Sequence, residues 1–238
     1  MSDATRINRF LASAGVASRR RADELVESGR VTIDGVVATA GAQVLPGQRV
    51  AVDGRAVEPE RHVYLALNKP SGVVTTAFDP EGRTTVLDVV NVRERVFPVG
   101  RLDYATTGLL LLTNDGELAA RLMHPRHELA KTYRALVRGI VSADTVARLE
   151  LGIELDDGPT APARVRVIGS DPGGSVLELV IHEGRNRQLR RMCDAVGHPI
   201  RALRRTAYGP VRLADLRVGA SRMLTASEIT ALRKSAGL

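Results

Sequence analysis

The stretch Gly100-Arg101-Leu102-Asp103-Tyr104-Ala105-Thr106-Thr107-Gly108-Leu109-Leu110 sets a charged pair and two threonines between apolar residues at 97–99 and a run of four leucines at 109–112. The leucine run reads as a buried strand. A polar loop fixed at the end of a buried strand is a place where catalytic groups are held rigidly. The same residues also read as a surface turn closed by an Arg101–Asp103 salt bridge, and composition alone favours that simpler reading.

Outward from this loop, period-two and apolar patterns predict strands over 63–67, 73–76, 109–113, 131–137, 163–168 and 176–181. Helices are expected over 117–123, 142–151 and 187–196, and after Thr225, where Thr225 and Glu228 have capping-box spacing. Strands and helices mixed without a regular alternation point to an α+β class with a mixed or antiparallel sheet. A second polar cluster, Glu183-Gly184-Arg185-Asn186-Arg187-Gln188-Leu189-Arg190-Arg191-Met192, opens the helix expected at 187–196. Helical spacing puts Leu189, Met192, Cys193 and Val196 on one face and Arg187, Arg190 and Arg191 on the other.

The first sixty residues read as a separate small unit. Ile7, Phe10, Leu11 and Ala14 recur at helical spacing up to Gly15, and Ser18 is a good N-cap for a second helix with Ala22, Leu25 and Val26 inward and Gly29 as its stop. The period then changes to two, with Asp34-Gly35 and Asp53-Gly54 as hairpin signals. Arg19, Arg20 and Arg21 fall in the first turn of the second helix, where positive charge opposes the helix dipole. With Arg30 close behind, they are expected to contact RNA backbone; a solvated helix face is the simpler alternative. Glu58-Pro59-Glu60-Arg61 reads as a linker, giving domains at 1–60 and 61–238.

Composition narrows the partners. The 238 residues carry a net charge of +7, and only Lys69, Lys131 and Lys234 are lysines among 34 basic side chains. Arginine, the better fork for phosphate, therefore carries nearly all the positive charge. A nucleic acid is the expected partner. No apolar run approaches the length of a spanning helix, and Met1-Ser2-Asp3-Ala4 lacks the basic-then-apolar start of a signal peptide. With Cys193 as the only cysteine, the expectation is a cytoplasmic protein without disulfides, membrane association or a cysteine-based zinc site. There is no G-x-x-x-x-G-K-[ST] or G-x-G-x-x-G motif, and Pro125 breaks the helical spacing of His124 and His127, so no cofactor or metal is expected.

The segment at 6–37 resembles the S4 RNA-binding domain, a binding module of two helices and a β-hairpin. The whole set, together with Leu67-Asn68-Lys69-Pro70-Ser71-Gly72, the loop at 100–110, Thr113-Asn114-Asp115-Gly116-Glu117-Leu118, Lys131-Thr132-Tyr133 and the 183–191 cluster, resembles the pseudouridine synthases that modify bacterial ribosomal RNA and carry an S4 domain at the N-terminus. The resemblance implies that Asp103 is the catalytic residue, that Tyr133 packs against the target base, that Arg185 pairs with Asp103 and that Arg101 lies close to the flipped nucleotide. It also implies a ribosomal RNA or precursor-subunit substrate, with the large subunit favoured, and a monomer is expected.

The chemistry agrees with these absences. Turning uridine into pseudouridine breaks the bond from N1 to the sugar, rotates the base and joins C5 to the same carbon, with nothing oxidised and no group imported. A uridine in folded RNA must leave its stack to be reached. Asp103 would act either as nucleophile or as base, with Arg101 and Arg185 as counter-charges. Two other readings stay open: a non-catalytic S4-type RNA-binding or ribosome-assembly factor, and a glycoside hydrolase drawing on Asp115 and Glu117, which needs two carboxylates flanking the bond.

Overall fold

A computed structural model describes residues 4–238; the N-terminal segment read above for a signal peptide lies, over 1–3, outside the described residues. Contacts divide the chain into two units. One takes the described residues up to Val63 with Val92–Arg95 and Asn114–Gly116, and the other takes Tyr64–Asn91, Val96–Thr113 and Glu117–Leu238.

In the first unit, β1 (Thr5–Arg6) leads into α1 (Ile7–Ser13) and α2 (Arg19–Glu27). The Ser18 hydroxyl accepts from the Arg21 amide, as the N-cap reading expected. At the other end Gly29 turns left-handed (φ 71°) and the Arg30 amide reaches back to the Leu25 carbonyl, closing the helix. Then β2 (Val31–Ile33) and β3 (Val36–Val37) form the hairpin at Asp34-Gly35, both residues at positive φ. After β4 (Gln43–Val44), which pairs with β1, β5 (Val50–Val52) and β6 (Arg55–Val57) form the second hairpin, and the sheet order is β3-β2-β5-β6. Ile7, Leu11, Ala22, Leu25, Val26, Val31 and Val50 make the core. Arg19 and Arg20 are exposed, while Arg21 pairs with Glu24 and Arg30 makes a forked contact with Asp53.

The turn 114–116 also belongs to this unit. Asn114 Oδ1 accepts from the Val63 amide at 2.8 Å, its amide nitrogen donates to the Arg61 carbonyl, and buried Asp115 faces His62 at 3.5 Å. The turn thus fastens the backbone at 61–63.

The second unit is α+β. Its elements are β7 (Tyr64–Lys69), α3 (Val86–Val89), β8 (Phe97–Pro98), β9 (Thr107–Thr113), α4 (Gly116–Met123), β10 (Lys131–Val137), α5 (Ala143–Leu151), β11 (Glu154–Leu155) and β12 (Gly158–Pro159). They continue with β13 (Arg164–Asp171), β14 (Gly174–Ile181), α6 (Gln188–Ala195), β15 (Ile200–Tyr208), β16 (Val211–Arg212), β17 (Ser221–Met223) and α7 (Ala226–Ser235). The main sheet runs β13-β14-β10-β15-β9-β7-β17, with β16 on β15 and β8 on β9. Its pairs are antiparallel except β15 with β9. Leu109, Leu111, Leu118, Leu122, Tyr208 and Leu232 share one core.

Two expectations need correction. The strand predicted at 73–76 is an irregular segment with one bridge, Val74 to Thr85, because its neighbouring polar groups turn to the loop at 100–106. The Gly72 amide donates to the Tyr104 carbonyl, and the Thr75 hydroxyl donates to the Leu102 carbonyl at 2.7 Å. The helix expected from 187 begins at Gln188, since Arg187 takes a left-handed conformation (φ 46°) at its N-cap.

Candidate active site

Asp103 hangs from the loop between β8 and β9, at the end of β9 that lies beside β15. The parallel register sets Thr107 and Gly108 against Arg204 and Arg205. Gly108 (φ 103°) allows this approach: a Cβ there would stand 2.2 Å from the Arg205 carbonyl oxygen. The loop is held from beneath by Lys69, the last residue of β7. Its buried ammonium donates to the carbonyls of Pro70, Asp103, Tyr104 and Thr106 at 3.0–3.3 Å. Burial pulls its pKa down to about 8, against the opposing pull of Asp103.

Asp103 lines a cavity of about 690 Å³, within the range of small-ligand sites. Its carboxylate is one-third exposed and faces Arg190, whose Nε lies 3.8 Å from Oδ2. Arg190 is otherwise placed by weak contacts to the Thr106 hydroxyl and the Ile200 carbonyl, and its buried Nε has no hydrogen-bond partner among the described residues.

Tyr133 on β10 forms part of the wall, backed by Arg205, its register partner on β15. Arg205 is buried; Nε donates to the Leu109 carbonyl at 2.7 Å, Nη1 reaches the Tyr133 hydroxyl at 3.4 Å, and the guanidinium lies 5.0 Å from the Tyr208 ring centre. Half-buried Lys131 donates to the carbonyls of Leu129 and His182, and burial together with nearby Arg205 pulls its pKa to about 8.

The expected pairing of Arg185 with Asp103 is not present. Arg185 is bound to Asp157 in the β11–β12 turn and donates to the carbonyls of Gly158 and Pro159. Arg191 holds the same turn through Asp156 at 2.6 Å and Asp157 at 2.7 Å. These arginines keep the Asp157 carboxyl far below the usual carboxylate range. The physical reason is geometric. Arg185 precedes the helix and meets the hairpin, whereas Arg190, in the first turn of α6, projects to the loop that carries Asp103. The open basic face expected of Arg187, Arg190 and Arg191 therefore reduces to Arg187, which is exposed at the cavity edge.

Arg101 is exposed and lines the cavity. Among the histidines, His124 Nδ1 accepts from the Arg126 amide and His127 Nε2 from the Arg126 guanidinium. Asp115 and Glu117 are engaged by His62 and Arg121. The thiol of buried Cys193 is pushed up to about 12 by its apolar surroundings.

Lys69, Lys131 and Arg205 received no role from the sequence. A signal for the first two was available: where an arginine-rich chain keeps a lysine, a compact three-donor ammonium is what the place requires.

A small helical and hairpin unit is joined in sequence to a mixed-sheet unit whose cavity holds a carboxylate beside an arginine and a tyrosine. Residues 63–195 match the family model for RNA pseudouridylate synthase, and 5–50 match that of the S4 domain. The chain is 47% identical to the ribosomal large subunit pseudouridine synthase B of Bacillus subtilis, covering 96% of this chain and 95% of that protein. An RNA pseudouridine synthase of Mycobacterium leprae is 47% identical over 99% of this chain and 94% of its own. A crystal structure of a pseudouridylate synthase superposes with a TM-score of 0.69 at 30% identity, over 95% of this chain and 99% of that one. The chain belongs to the RNA pseudouridylate synthase family. No helix among the described residues is long and apolar enough to cross a membrane.

Proposed function

We propose that this protein isomerises a uridine of large-subunit ribosomal RNA to pseudouridine, with Asp103 as the catalytic carboxylate and no cofactor. In this reading it acts as a cytoplasmic monomer, residues 1–60 gripping RNA through Arg19, Arg20, Arg21 and Arg30 and residues 61–238 performing the chemistry. The observation that carries it is the state of the acids in the cavity. Glu183 is spent on the Ala161 amide and the Gln188 side chain, whereas Asp103 faces the open volume with Arg190 as counter-ion. A hydrolase needs two carboxylates across the bond, and only one is at liberty here.

The flipped uridine enters with its base against Tyr133, and Arg101 at the rim fills or guards the place it leaves. Asp103 attacks the sugar as nucleophile or removes a proton from it as base. The bond from N1 to the sugar breaks, and the base turns inside the cavity and rejoins the same carbon through C5, whose proton is released. Arg190 replaces Arg185 as the partner of Asp103 in this scheme.

The test uses ribosomal RNA labelled with tritium at uridine C5. Native protein should release tritium, and Asp103→Asn should release none while binding the RNA nearly as well. Turnover by the Asn variant would overturn the assignment, and absence of release by native protein from any ribosomal RNA would favour a non-catalytic binding factor.

A further inference from the structure

Seven aromatic side chains, three Phe and four Tyr, serve the whole chain. Phe10, Tyr64, Phe97, Tyr133 and Tyr208 are buried or half-buried. The two that stand in solvent are Phe78, 78% exposed, and Tyr104, 55% exposed. A chain with so few rings has exposed them at two places: Tyr104 follows Asp103, and Phe78 lies three residues from Thr75, which binds Leu102.

Tyr104 follows Asp103 directly, is exposed, and is not among the residues that line the cavity. Its carbonyl is fixed by the Gly72 amide at 2.9 Å and by Lys69 at 3.3 Å. Its hydroxyl lies 3.8 Å from where a Cβ on Gly72 would stand, so the ring sits over a residue without a side chain. Phe78 is carried by the segment that Thr75 ties to Leu102. The Thr76 hydroxyl bonds both the carbonyl and the amide of Phe78, and Asp79 grips the amide and guanidinium of Arg83. Arg83 in turn lies near enough to Tyr104 to interact with it electrostatically. These contacts hold both rings outward on pinned backbone.

We propose that Tyr104 and Phe78 form a stacking platform for the unpaired bases adjoining the target uridine. The proposal rests on the reading that the cavity takes a flipped uridine. When one base enters the cavity, its neighbours remain at the rim, stripped of a stacking partner. An exposed ring there replaces the lost stack, and any base will serve because every base has a π-face. Arg101, exposed at the cavity, and the net charge of +7 suit a polyanion, while the charge of Arg83 is taken up by Asp79 and Glu81. The platform selects a uridine in a loop or bulge over one in a continuous duplex, since duplex neighbours are already stacked.

The test compares Tyr104→Ala, Phe78→Ala and Tyr104→Phe on ribosomal RNA labelled with tritium at uridine C5. Each alanine variant should raise KM roughly 5- to 150-fold, the equivalent of one lost stack, with a much smaller change in kcat. Phe at position 104 should restore affinity to within roughly twofold, because a ring without its hydroxyl still stacks. Affinity is also measured across a salt series in an Asp103→Asn background, so that the platform is tested whether or not Asp103 is the reacting acid. The slope of log affinity against log salt should match that of the protein with its rings intact, since stacking releases no counterions. An unchanged KM in both alanine variants, a Phe variant as damaged as the Ala variant, or a shallower salt slope would each overturn the proposal.

Discussion

Replacing Lys69 by Met keeps most of the buried stem and removes the ammonium beneath the loop that carries Asp103. Four carbonyls, those of Pro70, Asp103, Tyr104 and Thr106, share its three N–H groups in native protein. A hydrogen bond to a charged donor is worth about 1.5–3 kcal/mol net. The buried ammonium gives some of that back, because burial disfavours its charge and moves its pKa from 10.5 to about 8. The Met variant leaves neutral carbonyls without a donor at about 1–3 kcal/mol each, so after relief of the buried charge a loss of about 3–5 kcal/mol is expected. At roughly 2–4 °C per kcal/mol for a unit of this size, the melting temperature should fall by roughly 6–20 °C. The loop that carries Asp103 also loosens, and a misplacement of about 1 Å costs on the order of 100-fold in rate, so kcat should fall further than KM rises.

The same group has a pH signature with two opposite signs. Its folded-state pKa lies below its unfolded value, so the ionised lysine lowers stability fully below pH 8, and that penalty lifts between pH 8 and 10.5. Turnover should move the other way, because an amine has two hydrogens for four carbonyls. Native kcat should decline as pH rises through about 8, and the Met variant should lack that limb. Circular dichroism melts and tritium release measure the two quantities. A Met variant that melts with native protein and keeps native kcat would refute the reasoning.

Two further substitutions separate local structure from chemistry. In α7, Glu228 is paired with Arg222 at 2.7 Å, which together with the Thr225 amide draws its carboxyl to about 2. Its pKa is depressed in the fold, so its contribution is present above the unfolded value of 4.5 and lost as pH falls through about 2. Glu228→Gln should cost about 1 kcal/mol at pH 7 by denaturant titration, with a deficit that shrinks on acidification and with unchanged tritium release. Gly108→Ala should cost well beyond the about 1–2 kcal/mol of an ordinary left-handed position, because its Cβ would meet β15 backbone. Gly82→Ala, also at positive φ but with nothing within 4 Å, should show only that ordinary cost in the same titration.

The elements with unbroken patterns were legible in the sequence. The two helices and two hairpins near the N-terminus carry their own caps and Asp-Gly turns, and β10 and α4 follow their apolar periods closely. β15 was hidden by its chemistry. Leu203, Arg205 and Ala207 face inward at period two, but an arginine at the middle position breaks the apolar alternation and makes 201–205 read as surface charge. What puts it inside is the Leu109 carbonyl, the Tyr133 hydroxyl and the Tyr208 ring, none of which lies near it in sequence except Tyr208.

The arginines near Asp103 were harder for the same reason. Arg185, Arg187, Arg190 and Arg191 are close to equivalent as residue types, and helical spacing separates them only into faces. Their partners are decided by a hairpin that returns from 28 residues upstream: Asp157 takes Arg185 and, with Asp156, Arg191. An exposed ion pair of this kind contributes little to stability in itself. Its consequence is allocation. With two guanidinium groups held by the hairpin, the arginine facing Asp103 is Arg190, half-buried and without a competing acid, and the one left open at the cavity edge is Arg187. A count of basic residues in the motif therefore overstates the charge free to meet RNA, and the acids of the β11–β12 turn decide which arginine meets the loop that carries Asp103.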